Sequence, residues 1–289
     1  MSTPITPQLV KQLRDRTDQP MGLCKQALEE TGGDLQKAIE WLRAQNAKIG
    51  VKREGSETAE GRIGLFYDNN QRIAAIVEVR CETAPSAKSE PFIALVNDLA
   101  RYIASSTATD VATLLAQSYA PGMTVADRLN ETIGVIREKM VIHRFTRLQG
   151  GIYGGYVHFD GTVGTLVECQ GAAPNDELLH DVAAHITAMN PQYRTPADVP
   201  ADILEKEKAA VRAEIAADPK NAGKPANVID KIAEGKLKYR LAELVNVLSE
   251  QLMANTVKYP NVTVQAALHN KGLELTRFVR YKVGAVSLS

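Results

Sequence analysis

Along the first fifty residues the apolar positions recur every three or four, the period of amphipathic helices. Leu9, Val10 and Leu13 follow Thr6 and Pro7, a capping residue with proline in the first turn, and Thr17, Asp18, Gln19 and Pro20 end the run. Leu23, Cys24, Ala27 and Leu28 mark a second helix that stops at Gly32 and Gly33. Asp34 caps a third, with Leu35, Ala38, Ile39 and Leu42 inward and Trp41 close by. The pattern predicts a three-helix bundle over 1–48, near the lower size limit for independent folding. Residues 49–62, with Lys52, Arg53, Glu54, Gly55, Ser56 and Glu57, show no apolar period and read as a linker.

From Ile63 the period drops to two. The runs Ile63–Tyr67 and Ile73–Val79 flank Asn69 and Asn70, a hairpin pattern, and a second turn signal stands at Asp160 and Gly161. Ile73–Glu78 lies over Val163–Glu168 at an offset of 90, whereas Asp98, Leu99, Ala100 and Ile103 lie over Asp181, Val182, Ala183 and Ile186 at an offset of 83. The fold class expected is α+β: after the bundle, a duplicated core of antiparallel sheet covered by helices, its halves at 63–150 and 151–289. The difference in offset places an extended loop, Cys81–Pro91, in the first half only, and such loops tend to carry function. Residues 200–235 fit neither half. Ile203–Ile215 carries a thin stripe of Leu204, Val211 and Ile215 among charges, Asp218, Pro219, Gly223 and Pro225 turn the chain, and Val228, Ile229 and Ile232 lead back. That pattern predicts an inserted helical hairpin of coiled-coil type. Val279, Tyr281 and Val283, alternating with Arg280 and Lys282, predict a last half-buried strand.

Charge narrows the function. Lys and Arg number 34 and Asp and Glu 34 in 289 residues, so no bulk charge draws the chain to nucleic acid or anionic lipid. Apolar runs such as Ile73–Val77 fall far short of the ~20 residues that span a bilayer, and Met1, Ser2, Thr3 and Pro4 do not resemble a signal peptide. Three scattered cysteines, Cys24, Cys81 and Cys169, predict neither a disulfide framework nor a metal knot, and a reducing cytoplasm as the location.

Candidate chemistry is sparse. Of His143, His158, His180, His185 and His269, only His180 and His185 are close, and five residues apart they fall on different faces of a helix. Gly150, Gly151, Gly154 and Gly155 lack the Lys-Ser/Thr ending of a phosphate loop and read as turn or hinge, and Pro225 after Lys224 removes a donor that phosphate cradling would use. Cys81 has no base near it in sequence and reads as a buried thiol. No catalytic residue, metal or cofactor is expected; the residues describe a multi-module protein whose work is contact with another macromolecule.

Several motifs, in order along the chain, carry a resemblance. Leu13-Arg14-Asp15-Arg16-Thr17, then Met21, Cys24, Lys25, Ala27, Leu28 and Gly33-Asp34, resemble the ubiquitin-associated-type module of bacterial elongation factor Ts. Val77-Glu78-Val79-Arg80-Cys81-Glu82-Thr83, Ile133-Gly134, Tyr156-Val157-His158, Asn190-Pro191, Glu205-Lys206-Glu207-Lys208, Gly223-Lys224-Pro225 and Phe278-Val279-Arg280-Tyr281 are similar to its core signatures. The resemblance implies a guanine-nucleotide exchange factor, not an enzyme, that binds elongation factor Tu carrying GDP and promotes GDP release during protein synthesis. It implies Tu contacts at Arg14, Met21, Lys25, Ile133, Gly134 and His158, no direct contact with nucleic acid or membrane, and either one-to-one binding or a homodimer in a two-by-two complex. One departure stands out. After Glu82-Thr83 the family carries Asp-Phe-Val, whose ring wedges into the GTPase and helps dislodge magnesium; here the motif Thr83, Ala84, Pro85, Ser86 has no aromatic. Met21 is followed by Gly22 and Leu23 where the family carries Met-Asp, and Gly284-Ala285 replaces Gly-Glu. The lost wedge keeps a second reading open: a Tu-binding paralogue with weak or no exchange activity.

Overall fold

A computed structural model describes residues 4–53, 55–171 and 173–285; Met1, Ser2, Thr3, Glu54, Ala172 and the last four positions lie outside them. The chain opens with α1 (Pro7–Thr17), α2 (Met21–Glu30) and α3 (Leu35–Lys52). Thr6 Oγ1 accepts from Leu9 N at 3.2 Å, and one carboxylate oxygen of Asp34 accepts from Gln36 N and Lys37 N, so both predicted caps satisfy otherwise orphaned donors. Val10, Leu13, Cys24, Ala27, Leu28, Ala38 and Leu42 meet as one buried cluster. The stretch read as a linker is shorter: α3 runs through Lys52, because Ile49 packs against the core that follows, and the next strand begins at Glu60.

Strands β1 (Glu60–Asp68) and β2 (Ile73–Cys81) form the predicted hairpin. Asp68 Oδ1 accepts from Asn70 N and Gln71 N, and Arg72 takes the left-handed conformation that closes the turn. The extended loop Cys81–Pro91 is not open coil. It holds one helical turn, α4 (Ala84–Ala87), before α5 (Glu90–Ser105) starts. Phe92, Leu95, Val96, Leu99 and Ile103 of α5 pack into the buried cluster under the sheet. Then come α6 (Val111–Ala116), the small pair β3 (Ser118–Ala120) and β4 (Met123–Thr124), α7 (Val125–Ile136) and β5 (Met140–Gln149). The first sheet is antiparallel in the order β1-β2-β5.

The second sheet takes β6 (Ile152–Val157) and β7 (Val163–Gly171), is covered by α8 (Asp176–Met189), and continues past the helical hairpin α9 (Ala201–Ala217) and α10 (Ala226–Glu243). A short α11 (Val264–His269) leads into β8 (Leu273–Lys282), giving the antiparallel order β6-β7-β8. Residues 200–235 therefore understate the hairpin. Its second helix extends to Glu243 because Lys236 and Arg240 reach back to Glu214 at 3.0 and 2.6 Å, and Arg240 also to Glu207 at 2.6 Å. The two sheets face each other through Ile63, Ala74, Ile76, Leu148, Tyr153, Leu166 and Tyr281. Gly154 and Gly155 are neither turn nor hinge. They lie inside β6 where a Cβ would stand 2.3 Å from Leu179 on one side and 2.3 Å from Leu65 on the other, so both faces of the strand require a bare backbone there.

Candidate functional site

The sequence departure falls on a turn that is held firmly. Thr83 caps α4, and Glu138, just before β5, takes both of its donors: Thr83 N at 3.1 Å and Thr83 Oγ1 at 2.8 Å. Glu82 accepts from Lys139 N at 2.6 Å and pairs with Arg53 Nη1 at 3.0 Å, tying the same turn to the end of α3. Ser86 and Ala87 face inward, Ala84 is half-buried and Pro85 is exposed. The turn is braced on both sides and carries the small rigid ring of Pro85 at its exposed position. Beneath it, burial and the nearby Glu138 push the Cys81 thiol up to about 12, and its S–H points to Thr83 O at 3.3 Å, so this sulfur is structural.

A second feature stands at the same end of the sheets. The β6–β7 turn carries His158, Phe159, Asp160, Gly161 and Thr162. Gly161 O accepts from Ile63 N at 2.8 Å, while Glu60, three residues earlier on β1, pairs with Cys81 at the root of the α4 turn. This tip is rigid. His158 N donates to Val163 O, Gly161 N to His158 O, and Asp160 Oδ1 accepts from Thr162 N and Thr162 Oγ1, both at 2.9 Å. Those bonds hold the Asp160 carboxyl below the usual carboxylate range. Phe159 projects from the tip 86% exposed, its ring 4.6 Å from that of His158, and the His158 Nδ1 lies 3.1 Å from Tyr156 OH. Phe159 is not among the residues expected from the sequence, although a large aromatic beside the Asp160-Gly161 turn has no core to enter, which is the signal that marks it.

The other expected contact residues divide. Arg14, Met21 and Lys25 are exposed on the α1–α2 side of the bundle, and Met21 and Lys25 line a groove of about 520 Å³ with Ile5, Pro7 and Val10. Ile133 and Gly134, by contrast, do not reach the surface. Both are buried where α7 packs on α3, and a Cβ at Gly134 would stand 2.1 Å from Asn46 Oδ1. They set how the bundle sits, with help from Arg43, which pairs with Glu131 at 3.2 Å and donates to Gly122 O at 3.2 Å. Gln19 Nε2 donates to Glu131 O in the same seam.

The Val77–Thr83 stretch carries a buried carboxylate. Glu78 on β2 is fully buried between Arg80 and Arg144, each at 2.7 Å, and its Oε1 accepts from Gly284 N at 3.2 Å. Arg144 in turn lies over the Tyr281 ring at 4.3 Å. The strand that leads into the α4 turn is thereby tied to the strand that ends the chain. Elsewhere, His185 is buried and bonded, and among the described residues no three His, Cys, Asp or Glu side chains converge as a metal would require.

A rim built of a braced turn and a braced hairpin tip that displays an exposed aromatic suits protein contact. Comparison with known proteins agrees. The family model described as elongation factor TS matches residues 82–285. Elongation factor Ts of Methylococcus capsulatus is 40% identical over 283 residues, covering 97% of this chain and 92% of that protein. The chain belongs to the elongation factor Ts family. Elongation factor Ts of Thermobifida fusca is 37% identical over 280 residues, covering 95% and 96% of the two chains. The function of the elongation factor Ts family, nucleotide exchange in translation elongation, is therefore the function of this chain. Among the described residues no helix is long and apolar enough to cross a membrane.

Proposed function

We propose that the chain binds elongation factor Tu carrying GDP in the cytoplasm and releases the nucleotide through the rim formed by the α4 turn and the β6–β7 tip. The observation that carries this reading is the bracing of a turn without an aromatic, by Glu138 and Lys139, beside a rigid tip that displays Phe159. Phe159 and His158 supply the aromatic contact, and Arg14, Met21 and Lys25 grip the GTPase from a ubiquitin-associated-type bundle. Ile133 and Gly134 act indirectly by fixing that bundle on α7. The two sheets with their covering helices are read as duplicated halves, 63–150 and 151–289, and the α9–α10 hairpin as an insertion into the second.

The chain itself performs no bond chemistry and touches neither nucleic acid nor membrane in this reading. Its mechanism is linkage: a protein that binds nucleotide-free Tu more tightly than GDP-bound Tu lowers GDP affinity by the same factor. Calorimetric titration of both Tu forms tests this. Tighter binding to the nucleotide-free form is expected; equal affinity for the two forms contradicts it. Ala84 and Pro85 motivate the second reading, a Tu-binding paralogue with little exchange activity, and equal affinity is the result that reading requires. A titration gives a molar ratio of one for either assembly, so a homodimer would appear instead as a two-by-two mass of the complex by light scattering.

A further inference from the structure

On the side of α2 away from Met21 and Lys25 lies a separate groove of about 250 Å³. Leu23 and Ile49 give it apolar walls with Trp41, and Lys48, Lys52 and Arg137 stand around it. Trp41, Lys48 and Lys52 recur at helical spacing along α3, so one helix face carries the ring and two cations. The third cation comes from elsewhere. Arg137 caps α7 in the left-handed conformation, φ 68°, which a residue with a side chain rarely adopts, and its N–H bonds Ile133 O at 2.8 Å. That backbone brings an exposed guanidinium to the groove. Among the described residues none of these three cations forms an ion pair or a side-chain hydrogen bond. In a chain whose charges balance overall, three unneutralised cations around one aromatic-lined groove form a local positive field.

We infer that this groove docks an acidic amphipathic segment of a partner protein, an apolar side chain entering against Trp41, Leu23 and Ile49 while carboxylates meet Lys48, Lys52 and Arg137. Charge complementarity argues for carboxylates, and the apolar walls argue for a peptide. Nucleic acid would follow a basic track along several phosphates, whereas these cations flank a single short groove. The groove adjoins the rim, since Lys52 and Arg137 neighbour the Arg53 and Glu138 that brace the α4 turn, but the inference does not rest on what the rim binds.

Trp41 is the only tryptophan in the chain, so its emission reads the groove directly. A synthetic peptide alternating glutamate and leucine is titrated into the full chain, with a lysine–leucine peptide and a single-stranded RNA as comparisons. The acidic peptide is expected to shift the emission saturably, and salt to weaken it as the screening length falls from ~10 Å at 0.1 M to ~3 Å at 1 M. Lys48→Glu with Lys52→Glu, at unchanged helical circular dichroism, is expected to weaken binding about ten-fold. Arg137→Asn keeps a residue that tolerates the left-handed backbone and is expected to cost about three-fold; it decides the matter if the double variant misfolds. Unchanged emission, equal binding of both peptides, or wild-type affinity in the variants overturns the inference. RNA binding more tightly than the acidic peptide overturns it as well and assigns the groove to nucleic acid.

Discussion

His185 on α8 is buried with its ring nitrogens committed in opposite senses. Nδ1 accepts from Ala254 N at 3.1 Å, so Nε2 carries the proton and donates to Gln251 Oε1 at 2.8 Å. Protonation would set two donors against each other, and burial lowers its pKa below the ordinary value of 6.5. Because the unfolded chain binds that proton more readily, the stabilisation is whole above about pH 6.5 and is lost as pH falls from there through the lowered folded value. Burial and the neighbouring Arg80 lower His143 too, which adds to the same slope. The melting temperature should therefore fall between pH 7 and pH 5, and His185→Gln should flatten that slope; an unchanged slope would remove His185 from the account. Gly134 makes a steric case at the same scale. Gly134→Ala should destabilise by about 1–3 kcal/mol through overpacking against Asn46, and adding Asn46→Ala should recover part of it in a double-mutant cycle read by denaturant melts. The sequence marked Ile133-Gly134 as a motif but held no sign of its partner: Asn46 lies one turn after Leu42 on the inward face of α3, and a polar residue there does not reveal what it packs against.

Among the elements, those decided by local chemistry were legible. The starts of α1 and α3 follow from Thr6, Pro7 and Asp34, and the β1–β2 pairing follows from the two apolar runs on either side of the Asn69 and Asn70 turn. Elements held by distant residues were not. The α4 turn is a single turn without its own apolar period, and its bracing comes from Glu138, 55 residues away. The last turns of α10 depend on Glu207 and Glu214 across the hairpin. Two outcomes follow from that bracing. Thr83→Ala removes the cap of α4 and the bond to Glu138, and should raise amide exchange at 84–88 by about ten-fold, an effect of roughly 1 kcal/mol or a little more. Arg240→Ala should raise exchange in the last turns of α10 while leaving the sheets as they were, since its carboxylate partners lie on α9 alone.

At the scale of the whole molecule, the buried Glu78 couples the two sheets by joining β2, β5 and the segment after β8. Glu78→Ala leaves Arg80 and Arg144 facing each other in the seam and should destabilise by about 3–5 kcal/mol, read from chemical denaturation. The same seam stands beside the end of the sheets where the α4 turn and the β6–β7 tip, with its exposed Phe159, lie; the proposed function makes that end the rim that meets elongation factor Tu. Stopped-flow release of a fluorescent GDP from elongation factor Tu, with the chain, with Phe159→Ala and with Ala84→Asp plus Pro85→Phe, tests that claim most directly. The account predicts that the chain accelerates release. Phe159→Ala should need about thirty-fold more protein for the same rate, the loss of roughly 2 kcal/mol of an anchor, and the double change should accelerate release further at high magnesium. Release unchanged by the natural chain, or accelerated equally by Phe159→Ala, would contradict it.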